Sequence, residues 1–139
     1  MVTLNHIGIA VEDLPQVKKL FSILGLSVIS KEVVPEQQVI THFLPLPLAP
    51  GQLELLEPTE SAGTIGQFIK KRGPGIHHLS FSVPIGELNT LCQSLRSSGY
   101  RLIYDQSRTG AHGMKINFIH PSSTGGILIE LMEPGEYII

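Results

Sequence analysis

The sequence predicts an α+β fold built from two tandem βαβββ modules. The main observation is an internal repeat: NHIGIAV at 5–11 returns as HHLSFSV at 77–83, and ELLEP at 54–58 returns as ELMEP at 130–134. The first match is offset by 72 residues, from His6 to His78, and the second by 76, from Glu54 to Glu130. Two matches in one order at nearly one offset indicate a duplicated module. The second observation is that each copy runs through the same succession of apolar periods. The third is that Pro-Gly clusters at 45–51, 73–75 and 121–126 separate those segments as loops.

Each copy opens on a short run rich in β-branched or aromatic residues, His6–Val11 and His78–Val83, which reads as a strand. A helix follows. In the first copy Asp13 is the expected N-cap and Pro15 sits in the first turn. Val17, Leu20, Phe21 and Leu24 form the apolar stripe before Gly25. In the second copy Leu88, Leu91, Cys92 and Leu95 form the stripe and Gly99 stops it. Three more strands are expected per copy, near 27–34, 37–45 and 52–57 and near 101–104, 114–119 and 126–132. Ile65, Phe68 and Ile69 mark a short helix over 63–72 that bridges the copies. The chain is therefore expected to be one domain over 1–139, with module one at 1–60, a linker helix within 61–74 and module two at 75–139.

Composition narrows the function. Apolar residues make up 42% and charged residues 16%, a balance that supports a packed core in 139 residues. The formal net charge of −2 gives no global positive field, so neither nucleic acid nor an anionic membrane is an expected partner. An anionic ligand would have to be met by local basic groups. No apolar run approaches the roughly 20 residues that cross a bilayer, and MVTLNHIGIAVEDL lacks the basic region of a secretory leader. The lone Cys92 cannot form an internal disulfide, which fits a reducing cytoplasm.

The chemistry is expected where the repeat is strongest. Strand side chains alternate faces, so His6, Gly8 and Ala10 share one face while Ile7, Ile9 and Val11 share the other. In the second copy His78, Ser80 and Ser82 stand opposite Leu79, Phe81 and Val83. Each apolar face has a helix to pack on, and each histidine face carries only small residues, as a cleft would. Glu54 and Glu130 lie inside apolar strands, where an unpaired carboxylate carries a heavy desolvation cost. A divalent ion held by His6, Glu54, His78 and Glu130 removes that cost. The mixed nitrogen and oxygen set suits Co, Mn, Ni, Fe or Zn. A lone strand histidine is ordinarily structural, but the His–Glu pairing occurs twice, at spacings of 48 and 52 residues. His77 points to the other face and is read as structural, as are His42 and His120. Cys92 is read as core, and Glu57 and Glu133, each before a proline at a strand end, as solvated.

These residues resemble the vicinal oxygen chelate (glyoxalase/bleomycin resistance) superfamily, in which two such modules form a cupped mixed sheet around one divalent ion. HIGIAVEDL at 6–14, GPGIHHLSFSV at 73–83, GAHGMKINFIHP at 110–121 and GGILIELMEP at 125–134 are similar to the methylmalonyl-CoA epimerases. The similarity spans nearly the whole chain and is weakest over 30–50. It implies a glyoxalase-like fold, a soluble homodimer and an acyl-CoA substrate. It also implies the ligand set His6, Glu54, His78 and Glu130. Many epimerases carry glutamine at the position of Glu54, whereas two carboxylates occur in some bacterial glyoxalase I enzymes.

The resemblance further implies interconversion of (R)- and (S)-methylmalonyl-CoA by removal of the C2 proton. A divalent ion would stabilise the developing enolate, and Glu130 would serve as both ligand and base. The opposing carboxylate of some members aligns near Thr41, where this chain has no acid, which leaves His112 and Gln38 as weak candidates for the second base. Lys70, Lys71, Arg72, Arg108 and Lys115 are available to a CoA tail. The alternatives are a glyoxalase I-type lactoylglutathione lyase, which Glu54 favours, and a non-catalytic binding protein of the same fold. Retention of all four ligand positions counts against the last.

Overall fold

The computed structural model describes residues 1–110 and 113–135. The chain divides into two compact units, one covering His6–His77, the other running from His78 onward together with Met1–Asn5. The first is built on β1 (Thr3–Ala10), α1 (Leu14–Ile23), β2 (Ser30–Val34), β3 (Val39–Pro45), β4 (Gln52–Pro58) and α2 (Thr64–Arg72). The second is built on β5 (Gly75–Ser82), α3 (Leu88–Ser97), β6 (Arg108–Thr109), β7 (Lys115–Ile119) and β8 (Leu128–Glu133). In the first, the strand order is β2-β3-β4-β1, with β1 parallel to β4 and the other pairs antiparallel. In the second, the order is β6-β7-β8-β5, with β5 parallel to β8 and the other pairs antiparallel. The βαβββ repeat expected from the sequence is thus present in both sheets. Among the described residues, no helix is long and apolar enough to cross a membrane.

Helix α1 begins where expected, with Asp13 Oδ1 accepting from the Gln16 amide at 3.1 Å and Pro15 in the first turn. It ends in a Schellman turn, in which Gly25, at φ 84°, lets Leu26 N–H reach back to Phe21 O. That geometry corrects the predicted stripe. The packed row is Leu14, Val17 and Phe21, continued by Leu26, against Val11, Leu44, Leu53 and Leu55. Leu20 and Leu24 are 54% and 63% exposed. The row starts from the first helical residue, Leu14, and the chain turns back before Leu24 can join it. In α3 the predicted stripe packs as expected: Leu88 and Cys92 are buried, and Leu91 and Leu95 are partly so, against Val83, Ile119 and Leu131. Helix α2 seals the opposite face of the first sheet, with Ile65 and Ile69 on Ala10, Val39 and Leu56.

Two further expectations are corrected. The strand predicted near 101–104 is reduced to one bridge, between Leu102 and Ile119, and the paired edge strand is β6. Ile103 N donates to Phe118 O and His120 N to Arg101 O, both at 2.8 Å, but side chains meet the backbone from Tyr104 onward. Buried Asn117 accepts from Tyr104 N at 3.2 Å and donates to Tyr104 O at 3.1 Å. Arg96 donates to the carbonyls of Tyr104 and Asp105 at 2.8 and 2.6 Å. With the polar groups of Tyr104 and the Asp105 carbonyl met this way, the pairing goes no further.

Glu133 is the other correction, for it is 4% exposed and not solvated. Its Oε1 accepts from Leu88 N at 3.0 Å, at the first turn of α3, and its Oε2 lies 3.8 Å from Lys115 Nζ. A carboxylate at the positive end of a helix satisfies a buried donor and gains from the helix dipole. Glu57, its counterpart, stays half-exposed beside His42. Glu133→Ala is therefore expected to lower the unfolding free energy by about 1–3 kcal/mol, the cost of orphaning a buried donor. Glu57→Ala should stay within about 0.5 kcal/mol. Equal midpoints in urea for the two variants would show that Glu133 caps nothing.

Candidate metal centre

In the first unit the parallel register of β1 and β4 sets Gly8 opposite Glu54, with His6 two residues before Gly8 on the same face. Ile7, Ile9, Leu53 and Leu55 take the α1 face, which forces His6 and Glu54 onto the other. Gly8 puts no side chain between them. His6 Nδ1 lies 2.8 Å from Glu54 Oε2, and both side chains are largely buried. Thr41, also buried, stands on this face opposite Leu56, with Phe43 opposite Glu54.

The second unit repeats the arrangement. The register of β5 and β8 sets Ser80 opposite Glu130, with His78 two residues before Ser80. Phe81, Ile129 and Leu131 take the α3 face. A ring nitrogen of His78 and a carboxylate oxygen of Glu130 lie within 4.8 Å of one another. Two donors on one ion, each at about 2.0–2.2 Å, sit roughly 3–4 Å apart. Each pair, one imidazole and one carboxylate, therefore fits a borderline divalent ion after small side-chain movement.

The two pairs differ at one position. Where the first unit has Gly8, the second has Ser80, fully buried, whose hydroxyl donates to Glu130 Oε1 at 2.7 Å and touches Met132 Sδ at 2.8 Å. Glu54 thus leans on a histidine, and Glu130 on a hydroxyl. The sequence places Ser80 on the histidine face, and aligning the two halves of the repeat displays its exchange for Gly8, but the bond to Glu130 emerges only from the strand register.

The other candidates fall elsewhere. His77 packs edge-on against Phe68, ring centroids 5.0 Å apart, and burial holds its pKa below the ordinary 6.5. His42 lies buried on β3 with Nε2 3.4 Å from Glu57. His120 Nδ1 accepts from Ser122 N at 3.0 Å and caps a 3-10 turn. Gln38 sits at φ 53° after another such turn and donates to Glu60 at 3.1 Å, a turn-closing role. His112 lies outside the described residues. Of the basic candidates, Lys70, Lys71 and Arg72 form the last turn of α2. Lys115 faces Glu133, and Arg108 lies over the Tyr104 ring, 4.0 Å from its centroid.

Comparison with known proteins agrees with this geometry. The profile described as the glyoxalase/bleomycin resistance protein/dioxygenase superfamily matches residues 5–118. The uncharacterized protein YqjC of Bacillus subtilis is 37% identical over 135 residues, covering 96% of this chain and 94% of that protein. The mitochondrial methylmalonyl-CoA epimerase of Bos taurus is 33% identical over 130 residues, covering 92% and 72%. The crystal structure of methylmalonyl-CoA epimerase from Mycobacterium tuberculosis superposes with a TM-score of 0.80 at 39% identity, covering 96% and 88%. A methylmalonyl-CoA epimerase in complex with methylmalonyl-CoA and NH4+ superposes with a TM-score of 0.76 at 32% identity, covering 96% and 95%. The chain belongs to the glyoxalase/bleomycin resistance protein/dioxygenase superfamily and, within it, to the methylmalonyl-CoA epimerase-like isomerases.

Proposed function

We propose that this enzyme epimerises methylmalonyl-CoA, or a close acyl-CoA thioester, with His6, Glu54, His78 and Glu130 serving one divalent ion. The observation that carries the reading is the twice-built pair, a histidine two residues before the strand position that faces a glutamate. The epimerases among its relatives support the substrate class. When bound, such an ion supplies positive charge where negative charge develops as the C2 proton leaves. Glu130 is the residue we assign to take that proton. The Ser80 hydroxyl fixes one carboxylate oxygen and so restricts the rotation of the group. The neighbouring strand residues Leu128 and Met132 are apolar, which limits competing solvation of the base. Glu54 in place of glutamine keeps the glyoxalase I-type lyase as the second reading. Buried Cys92 accords with a cytoplasmic enzyme.

Three outcomes follow. Metal analysis should find one divalent ion per chain, and the loaded protein should exchange the C2 proton of methylmalonyl-CoA for deuterium in heavy water. Absence of exchange with Co, Mn, Ni and Zn alike rejects the epimerase, and turnover of the methylglyoxal–glutathione adduct instead supports the lyase. Glu130→Ala should abolish exchange and weaken metal retention, whereas His77→Ala should keep metal content near wild type. Equal losses from both would place the wrong face in the cleft. Ser80→Ala should keep metal content within about twofold while kcat falls roughly tenfold, the worth of one oriented hydrogen bond. Unchanged kcat would remove Ser80 from the mechanism.

A further inference from the structure

We infer that Arg108, laid on the ring of Tyr104, binds a phosphate of the substrate's coenzyme A arm. The inference rests on the acyl-CoA reading above and adds the residue that would read the carrier. In the register of the second sheet, Glu130 faces Phe118, and Ile116, two residues before Phe118, faces Arg108. Arg108 therefore starts on the Glu130 face of the sheet. Its guanidinium carbon lies 4.0 Å from the Tyr104 ring centroid, and that ring meets Phe118 edge-on at 5.9 Å. A line of contact thus runs outward from the carboxylate: Glu130, Phe118, Tyr104, Arg108.

The reach agrees. Two strand spacings of about 4.8 Å and one two-residue step of about 6.8 Å put the Arg108 and Glu130 backbones roughly 12 Å apart. The pantetheine arm between thioester and pyrophosphate spans about a dozen single bonds, roughly 15 Å at ~3.6 Å per three bonds. A thioester at Glu130 therefore delivers its phosphates to the neighbourhood of Arg108 without coiling.

The chemistry agrees as well. The chain's net charge is −2, so an anionic ligand needs a local cation. Stacking on an aromatic face holds the guanidinium plane while its edge keeps donors for a phosphate fork. The platform is itself fixed, because Asn117 and Arg96 hold the Tyr104 backbone. The other cations of this unit are placed differently. Arg96 is committed to those carbonyls and Lys115 faces Glu133. Arg101 lies beyond the far end of β7, where its carbonyl accepts from His120 N.

The test compares two substrates. With methylmalonyl-CoA, Arg108→Ala should raise KM about tenfold and leave kcat within about twofold, whereas with the methylmalonyl thioester of pantetheine, which has no phosphate, KM should match wild type. Arg101→Ala should behave as wild type with both, and Arg108→Lys should recover part of the loss. An equal rise in KM with both substrates, or none with either, overturns the inference. Equilibrium binding of coenzyme A alone separates this from the epimerase reading. If wild type turns over neither thioester, that reading falls, yet coenzyme A bound about tenfold more tightly by wild type than by Arg108→Ala still upholds the phosphate site. Equal dissociation constants, or no binding to wild type, reject it.

Discussion

Burying a carboxylate in an apolar strand is the constraint around which each half of this molecule is arranged. Glu54 and Glu130 cannot sit on the helix-packed faces of their strands, because Leu53, Leu55, Ile129 and Leu131 occupy those faces. The pleat therefore turns both carboxylates to the opposite side, where the parallel neighbour decides what they meet. In each sheet that neighbour offers a small residue directly across and a histidine two positions earlier. Helix α1 or α3 on one face and ligand pair on the other are consequences of one alternation. Shifting either strand by a single residue would bury the histidine against the helix and expose the apolar row.

The duplication also explains how one fold produces two carboxylates in different surroundings. Opposite Glu54 the chain has Gly8, and the carboxylate settles on its histidine at 2.8 Å. Opposite Glu130 it has Ser80, and the carboxylate accepts a buried hydroxyl at 2.7 Å. A glutamate engaged with an imidazole is suited to orienting or sharing a ligand. One that accepts a buried hydroxyl has one oxygen fixed and its rotation restricted. A single side-chain difference between the copies thus gives the two carboxylates different partners within the same strand register.

Much of this was legible in the sequence because it depends on period and repetition. Strand alternation placed the histidines on the cleft face, the repeat paired them with their glutamates, and Asp13, Pro15 and Gly25 marked the ends of α1 where they occur. What escaped depends on contacts between distant segments. In α1 Leu20 and Leu24 fit the helical period, yet Leu20 lies off the packed row of Leu14, Val17 and Phe21, and the chain leaves the helix before Leu24. Glu133 looked like a solvated strand end, and only the approach of α3 to β8 makes it a helix cap. The segment at 101–104 has strand-forming residues and begins to pair through Arg101 and Ile103, yet Asn117 and Arg96 take the backbone groups of Tyr104 and end the ladder there.

Those same long-range contacts tie the second sheet's structure to its reading of substrate. Asn117 is buried under α3 and bonds Tyr104 across the edge of the sheet, so the packing of the helix fixes the backbone that carries the aromatic platform. The platform in turn orients Arg108 and leans on Phe118, the cross-strand neighbour of Glu130. On the proposed reading, the phosphate contact at Arg108 and the proton transfer at Glu130 would flank one strand, β7, which pairs with β6 on one side and β8 on the other. A contact that holds the carrier equally in ground and transition states is expected in KM and not in kcat.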